Sequence, residues 1–191
     1  YFKYIEIQNH LTISNCILTK SPDTKIATTA PSNTKLGVVG EEFDKVVKAV
    51  VEKTAEYDDG ETAICFMGHG TEADSNRVYS RMQERLAAAG YENYYIGTVE
   101  AEPGLEDVMA ALGEKGIYKR VVLEPLMVVA GDHANHDMAG DEEDSWKSVL
   151  EREGYEVVCV LEGLGQIPAV RDIYVEHVQA AMERLGQQEG R

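Results

Sequence analysis

The stretch that decides the fold covers residues 61–72 and reads ETAICFMGHGTE. Its centre, Ala63 to Met67, is a short apolar run bounded by polar residues and glycine, which is typical of a buried strand. Gly68 and Gly70 flank His69 directly after that run, and glycines at such a place let a ligand approach the backbone closely. The stretch therefore predicts a buried strand that delivers a histidine to a loop.

Further apolar runs of similar length follow along the chain. Between them, apolar residues recur at helical spacing, as in Glu41 to Glu56 and Ser75 to Ala89. Strands that alternate with helices indicate an α/β fold, and we expect an open parallel sheet flanked by helices. The predicted strands are Leu36 to Val39, Ala63 to Met67, Tyr94 to Val99, Val121 to Val129 and Glu156 to Leu161.

Two helices can be delimited from their sequence. Gly113 follows an apolar helical stretch, and a glycine at such a position is expected to stop the helix. The last helix is predicted from about Pro168 to Leu185, and its spacing places on one apolar face Val170, Ile173, Tyr174, Val178, Ala181 and Leu185.

The first 34 residues differ from the rest of the chain. Residues 21–34, SPDTKIATTAPSNT, are mostly polar, contain two prolines and show neither helical nor strand periodicity, so we interpret them as a linker. We therefore expect residues 1–34 to be a leader and linker, and residues 35–191 to form one α/β domain.

Composition excludes several classes of partner. Of 191 residues, 43% are hydrophobic, and 18 Lys and Arg against 34 Asp and Glu give a net charge of −16. So acidic a protein is a poor partner for nucleic acid and anionic membranes. No apolar stretch approaches the length of a membrane span, so we expect a soluble, cytoplasmic protein. Cys16, Cys65 and Cys159 are too scattered for a disulfide framework or a CxxC pair.

Three successive predicted strands end in residues that can bind metal. His69 follows the first, Glu100 the second and His133 the third. Ligands in open parallel sheets bind outside the carboxyl ends of the strands, so these side chains are expected at one edge. Imidazole and carboxylate groups bind divalent first-row metals such as Co²⁺, Ni²⁺, Fe²⁺ or Zn²⁺, and three protein ligands leave coordination positions open for a substrate.

His69 and Glu100 also have simpler interpretations, and a third histidine nearby has two. His69 taken alone could be a hydrogen-bonding loop residue, and Glu100 could cap the helix that starts near Pro103. His136, three residues after His133, is either an extra metal contact or, as we prefer, a surface histidine.

The chain resembles the anaerobic cobalt chelatases, the sirohydrochlorin cobaltochelatase family of class II chelatases. The resemblance is to their carboxyl-terminal half and covers about Lys35 to Met182; residues 1–34 resemble no part of the family. It rests on four segments in order: FMGHGTEADSNRVYSRMQ, GTVEAEPGLEDV, LMVVAGDHANHDMAGDEEDSWK and GLGQIPAVRDIYVEH. The third contains the long motif GDHAxxDMAxDxxDSW.

This resemblance implies a lyase that inserts a divalent metal, most simply Co²⁺, into sirohydrochlorin during cobalamin biosynthesis. Neither ATP nor an organic cofactor would be needed, and Ni²⁺ or Fe²⁺ would be alternative metals. His69, Glu100 and His133 stand at the positions of the family's metal-site residues. We expect His69 to act also as the catalytic base, because imidazole is suited to proton transfer near neutral pH.

The resemblance also implies a partner. In the family the cleft lies between two similar α/β halves, and the first half has no counterpart in this sequence. We therefore expect a homodimer, or another partner that completes the cleft. The carboxylates of the tetrapyrrole would need local donors in so acidic a protein, and the candidates are Arg77, Lys147 and Arg171.

Two alternative functions remain at this point. A non-catalytic carrier of metal or tetrapyrrole, or an inactive truncated chelatase, would share the metal-site residues without turnover. A phosphatase of the histidine type is suggested by HGTE after a strand, but those enzymes place an arginine directly before the histidine, and Gly68 stands there.

Overall fold

A computed structural model describes the chain from residue 33 to residue 189. Residues 1–32, which make up most of the predicted leader and linker, lie outside the described residues, as do residues 190–191. No helix in the described part of the chain is long and apolar enough to cross a membrane.

Within residues 33–189, four parallel strands form one sheet, which confirms the predicted fold class. Their spatial order is β2-β1-β3-β4, so β1 lies in the interior with β2 and β3 on either side. Every residue of β1 is buried, as expected for an apolar strand covered on both faces. The strands are β1 Thr62–Gly68, β2 Tyr94–Thr98, β3 Arg120–Pro125 and β4 Glu156–Cys159.

Helices cover the sheet on both faces. They are α1 Asn33–Thr54, α2 Arg77–Ala88, α3 Leu105–Lys115, α4 Trp146–Arg152 and α5 Pro168–Glu189. Alternate residues of β1 serve the two faces: Ile64 and Phe66 pack with α1, α2 and α5, whereas Cys65 and Met67 pack with α3 and α4. The apolar core therefore has two layers, and its burial is the main stabilising contribution to the fold.

The predicted strand Leu36 to Val39 is wrong, because these residues belong to α1. A short run such as LGVV fits a helix segment as well as it fits a strand, and apolar spacing alone does not separate the two. In the part of the chain that the structure describes, the sheet consequently has four strands instead of the five expected.

Two predictions about helices also need correction. α3 continues through Gly113 to Lys115, and Gly116, with a φ of 61°, provides the left-handed residue that ends it. The apolar face of α5 is buried at Val170 and Ile173, but Val178 is 59% exposed, so the predicted apolar face is not buried along its whole length.

One carboxylate is buried in the sheet, on the face that packs against α1. Glu124 of β3 is 1% exposed and accepts a hydrogen bond from Lys53 of α1. Burial raises the pKa of the Glu124 carboxyl, and the hydrogen bond and charge of Lys53 oppose that shift. The pair ties α1 to β3 of the sheet, and neither of its two residues is one of the predicted metal residues.

Candidate metal centre

The order of the strands brings the three predicted metal residues to one edge of the sheet. His69 follows β1 directly, Glu100 is two residues beyond β2, and His133 lies after β3 in helical backbone that leads into the turn Ala134–Met138. Backbone hydrogen bonds extend the pairing of β1 and β2 past the strands, since the N–H of Glu100 donates to the carbonyl of His69 at 2.9 Å. Glu100 is thereby held beside His69.

His69, Glu100 and His133 form a cluster in which one potential ligand atom from each lies within 4.8 Å of the others. The two imidazole rings meet edge to face, with centroids 4.7 Å apart and planes at 87°. A Glu100 carboxylate oxygen lies 3.6 Å from Nδ1 of His69. Ligand atoms at about 2.0–2.2 Å from one ion are about 4 Å apart or less, so a small contraction of this cluster would surround a metal.

His69 is held by the turn that follows it. Its side chain is buried, and its Nδ1–H donates to the carbonyl of Gly70 at 2.8 Å. In the neutral ring this leaves Nε2 as the nitrogen that can bind a metal. Gly70 has a φ of 86°, which glycine adopts readily, and its N–H donates to the hydroxyl of Tyr79 at 3.2 Å.

The position before His69 must be glycine for a steric reason. A Cβ at Gly68 would overlap the aromatic ring of Tyr79, which is itself buried beneath the turn. An arginine there would require Tyr79 to move. The geometry thus argues against the phosphatase interpretation, which needs a phosphate-binding arginine at this position.

Glu100 lies in a loop fixed by Thr98. The N–H of Thr98 donates to the Pro103 carbonyl at 2.7 Å, and its hydroxyl donates to the carbonyl of Ala101. The side chain of Glu100 is 54% exposed. It does not cap α3: the helix begins after Gly104, whose N–H donates to the Asp107 carboxylate at 2.7 Å. The capping alternative for Glu100 is therefore not what the structure shows.

His133 precedes a short π-helical turn, Ala134–Met138. The Nδ1–H of His133 donates to the carboxylate of Asp137 at 2.6 Å, and the imidazole is 30% exposed. Ala134 and Met138 are fully buried and anchor the turn in the core. The histidine therefore stands at the protein surface on a rigid support.

His136 lies outside the cluster. Its side chain is 63% exposed and its Nδ1 lies 2.9 Å from a carboxylate oxygen of Asp132. The interpretation of His136 as a surface histidine stays a prediction.

The three predicted donors to substrate carboxylates each have a partner within the chain. Arg77 is 3.3 Å from Asp74, and Lys147 is 2.8 Å from Asp141, whose hydrogen bond raises the pKa of the lysine. The guanidinium of Arg171 donates to two backbone carbonyls of the turn before α5. None of them is a member of the cluster, and their role in substrate binding stays a prediction.

Asp137 and Tyr79 are site residues that sequence reasoning missed. The spacing of His133 and Asp137, four residues apart, was a usable signal because such residues are neighbours on a helical turn. No local pattern links Tyr79 to Gly68 and Gly70, since that contact depends on how α2 packs against β1.

A family model described as cobalt chelatase (CbiK) matches residues 19–183 of the chain. The match includes the metal cluster and every strand of the sheet. It starts within the segment interpreted as leader and linker, and the boundary at residue 34 stays a prediction.

Two relatives share more than a third of their residues with the chain over the matched region. A sirohydrochlorin cobaltochelatase of Salmonella typhimurium (strain LT2) is 36% identical over 119 residues, which are 62% of this chain and 44% of the relative. The sirohydrochlorin cobaltochelatase CbiKC of Nitratidesulfovibrio vulgaris (strain Hildenborough) is 35% identical over 123 residues, which are 64% of this chain and 43% of the relative. The match therefore spans less than half the length of either relative.

Among solved structures, a cobalamin (vitamin B12) biosynthesis CbiX protein from Marinobacter aquaeolei VT8 is similar to the chain. It is 25% identical, and the superposition covers 64% of this chain and 98% of that protein with a TM-score of 0.48.

Proposed function

The chain belongs to the cobalt chelatase (CbiK) family, and we propose on that basis that it inserts a divalent metal, first of all Co²⁺, into sirohydrochlorin in cobalamin biosynthesis. The observation that carries the proposal is the convergence of two histidines and one glutamate within 4.8 Å at the carboxyl edge of a parallel sheet. The two relatives described above, which match this region of the chain, are named sirohydrochlorin cobaltochelatases.

The chemistry requires a metal that is held and then released. In this proposal Co²⁺ is a substrate, so few ligands are better than a closed cage: three protein ligands leave positions at which pyrrole nitrogens can replace water. Imidazole and carboxylate serve Ni²⁺ and Fe²⁺ as well, and availability in the cell would select among them. No organic cofactor enters this scheme, since metal exchange and proton transfer need only side chains.

Two protons must leave the macrocycle for each metal that enters. The metal binds the four ring nitrogens, two of which lose their N–H protons, so the charge of the bound ion is balanced. We assign His69 as the first proton acceptor, because its Nδ1–H is fixed by the Gly70 carbonyl and Nε2 can take a proton once it has released the metal to the ring; the second proton passes to solvent water. Glu100 and His133 would then keep the metal in place.

The other wall of the active site should come from a second subunit. Glu100 is 54% exposed and His133 is 30% exposed, so the cluster lies at a surface. On the basis of this exposure we propose a homodimer, or another partner, that covers this surface. The macrocycle would bind between the two walls, and Arg77, Lys147 and Arg171 are the candidate donors to its carboxylates. The cytoplasm remains the proposed compartment.

The test is metal insertion by the purified chain. Sirohydrochlorin and Co²⁺ are mixed with the protein, product formation is followed by the absorbance of the metallated ring, and light scattering gives the oligomeric state of the same fractions. We expect insertion above the rate without protein, in the oligomeric fraction, and its loss in His69→Ala.

A matched control is His177→Ala. His177 also pairs with a carboxylate, that of Glu42 at 2.8 Å, but it lies on α5 and does not belong to the metal cluster. Its replacement should therefore leave metal insertion unchanged. Wild-type insertion rates in His69→Ala would exclude the assigned site. Binding of Co²⁺ or tetrapyrrole without product would favour the carrier alternative, and a fully active monomer would refute the second wall.

A further inference from the structure

We infer that Asp137 is a positioning residue that orients His133 and strengthens it as a metal ligand. This inference rests on the proposed function, because it takes the cluster of His69, Glu100 and His133 as the site of the metal. Asp137 itself is not a member of that cluster and so acts through the histidine.

The hydrogen bond determines which nitrogen of His133 can bind a metal. Because Nδ1–H of His133 donates to the Asp137 carboxylate at 2.6 Å, the neutral ring keeps Nε2 as its metal-binding nitrogen. A carboxylate behind a metal-bound imidazole also increases the electron density that the ring offers to the metal. Asp137 would therefore fix both the tautomer and the ligand strength of His133.

The two histidines of the cluster differ in the group that accepts the hydrogen bond from Nδ1–H. The Nδ1–H of His69 donates to a neutral backbone carbonyl, that of Gly70, whereas His133 is backed by a charged carboxylate. His133 is thereby the better permanent ligand, and His69 the one more easily exchanged. The division agrees with the proposed roles of His69 as proton acceptor and His133 as holder of the metal.

The local fold explains why Asp137 keeps this position. His133 directly precedes the π-helical turn Ala134–Met138 and Asp137 lies within it, and the buried residues of the turn, Ala134 and Met138, are fixed in the core. Such turns are frequent at functional sites. The Asp137 side chain is 45% exposed, so its replacement disturbs little packing.

The same segment contains a matched control pair. Asp132 and His136 have the same spacing of four residues and a similar distance, 2.9 Å, but their side chains are 88% and 63% exposed and neither belongs to the cluster. Replacing Asp132 removes one negative charge and one histidine–carboxylate contact from this segment, as replacing Asp137 does. It leaves the hydrogen bond between His133 and Asp137 in place.

The experiment titrates the wild-type protein, Asp137→Ala, Asp137→Asn and Asp132→Asn with Co²⁺ alone and records affinity and the visible absorption of the bound ion. We expect Asp137→Ala to weaken Co²⁺ binding about 10- to 100-fold and to alter the absorption bands. Asp137→Asn, whose amide oxygen still accepts from Nδ1–H, should recover part of the affinity. Asp132→Asn should match the wild type.

Each outcome decides the inference. Wild-type affinity and spectrum in Asp137→Ala would overturn it, and so would an equal loss in Asp132→Asn, which would indicate a general effect of charge. If Asp137→Ala fails to fold, Asp137→Asn decides: a smaller loss of Co²⁺ affinity supports the inference, and wild-type affinity and spectrum would overturn it. Absence of Co²⁺ binding by the wild type would instead refute the metal site itself, and the inference with it.

Discussion

Replacing Gly68 by alanine should damage both stability and metal binding, because Gly68 is where β1 passes beneath Tyr79 to present His69. An added Cβ would overlap the ring of Tyr79, and three ring atoms are its nearest neighbours. Tyr79 is 1% exposed, so its ring would have to move within the packed core. Moving it would also pull its hydroxyl away from the N–H of Gly70.

The magnitude follows from these two effects. Overpacking of this kind costs about 1–3 kcal/mol, and the weakened hydrogen bond about 1 kcal/mol. The lower chain entropy of alanine in the unfolded state returns about 0.4–1 kcal/mol. We expect a net loss of about 2 kcal/mol, equivalent to about 4–8 °C in Tm for a chain of this length.

The assay is urea unfolding of Gly68→Ala together with a Co²⁺ titration, and Gly113→Ala is the matched control. A Cβ at Gly113 meets nothing within 4 Å inside α3, so that variant should gain about 0.5–1 kcal/mol from helix propensity and keep its Co²⁺ affinity. Gly68→Ala should lose affinity because His69 shifts with the turn. Stability and Co²⁺ affinity equal to the wild type in Gly68→Ala would refute the reasoning.

Three further predictions concern titration, thiol access and the surface histidine. Since burial raises the pKa of Glu124, the folded state holds its proton more tightly than the unfolded state, so wild-type stability relative to Glu124→Gln should fall as pH rises from the ordinary glutamate pKa through the raised one. Urea unfolding of both proteins across that pH range checks this prediction. A wild-type free energy of unfolding that rises with pH relative to that of the variant would contradict it. Burial also raises the pKa of Cys65, so iodoacetamide should label this thiol only after unfolding, as read by mass spectrometry; rapid labelling of the native protein would be inconsistent with its position. His136→Ala should bind Co²⁺ like the wild type in a calorimetric titration, and weaker binding would make His136 a ligand after all.

The fold class and the position of the three metal residues at one edge of the sheet could be predicted because both follow from local signals and parallel topology. A buried parallel strand is an apolar run, and parallel topology sends the residue after each strand to the same edge, so His69, Glu100 and His133 could be proposed together. The three come from adjacent strands because β1 lies between β2 and β3, an order that no local pattern encodes.

Errors and omissions arose where tertiary contacts decide. Residues 36–39 are apolar enough for a strand, yet they belong to α1. Gly113 lies inside α3, where a Cβ would meet nothing within 4 Å, and Gly116 ends the helix instead. Tyr79 supports the His69 turn from another element, which spacing along the chain does not reveal.

The central claim is that the ligand atoms of His69, Glu100 and His133 bind one metal ion. Crystals of the protein grown with Co²⁺, measured on both sides of the cobalt absorption edge, test this most directly through the anomalous difference density. We predict one strong peak at about 2.0–2.2 Å from one nitrogen of each histidine and from the Glu100 carboxylate. A peak bound elsewhere, for instance between His136 and Asp132, with these three side chains turned away from one another, would contradict the account.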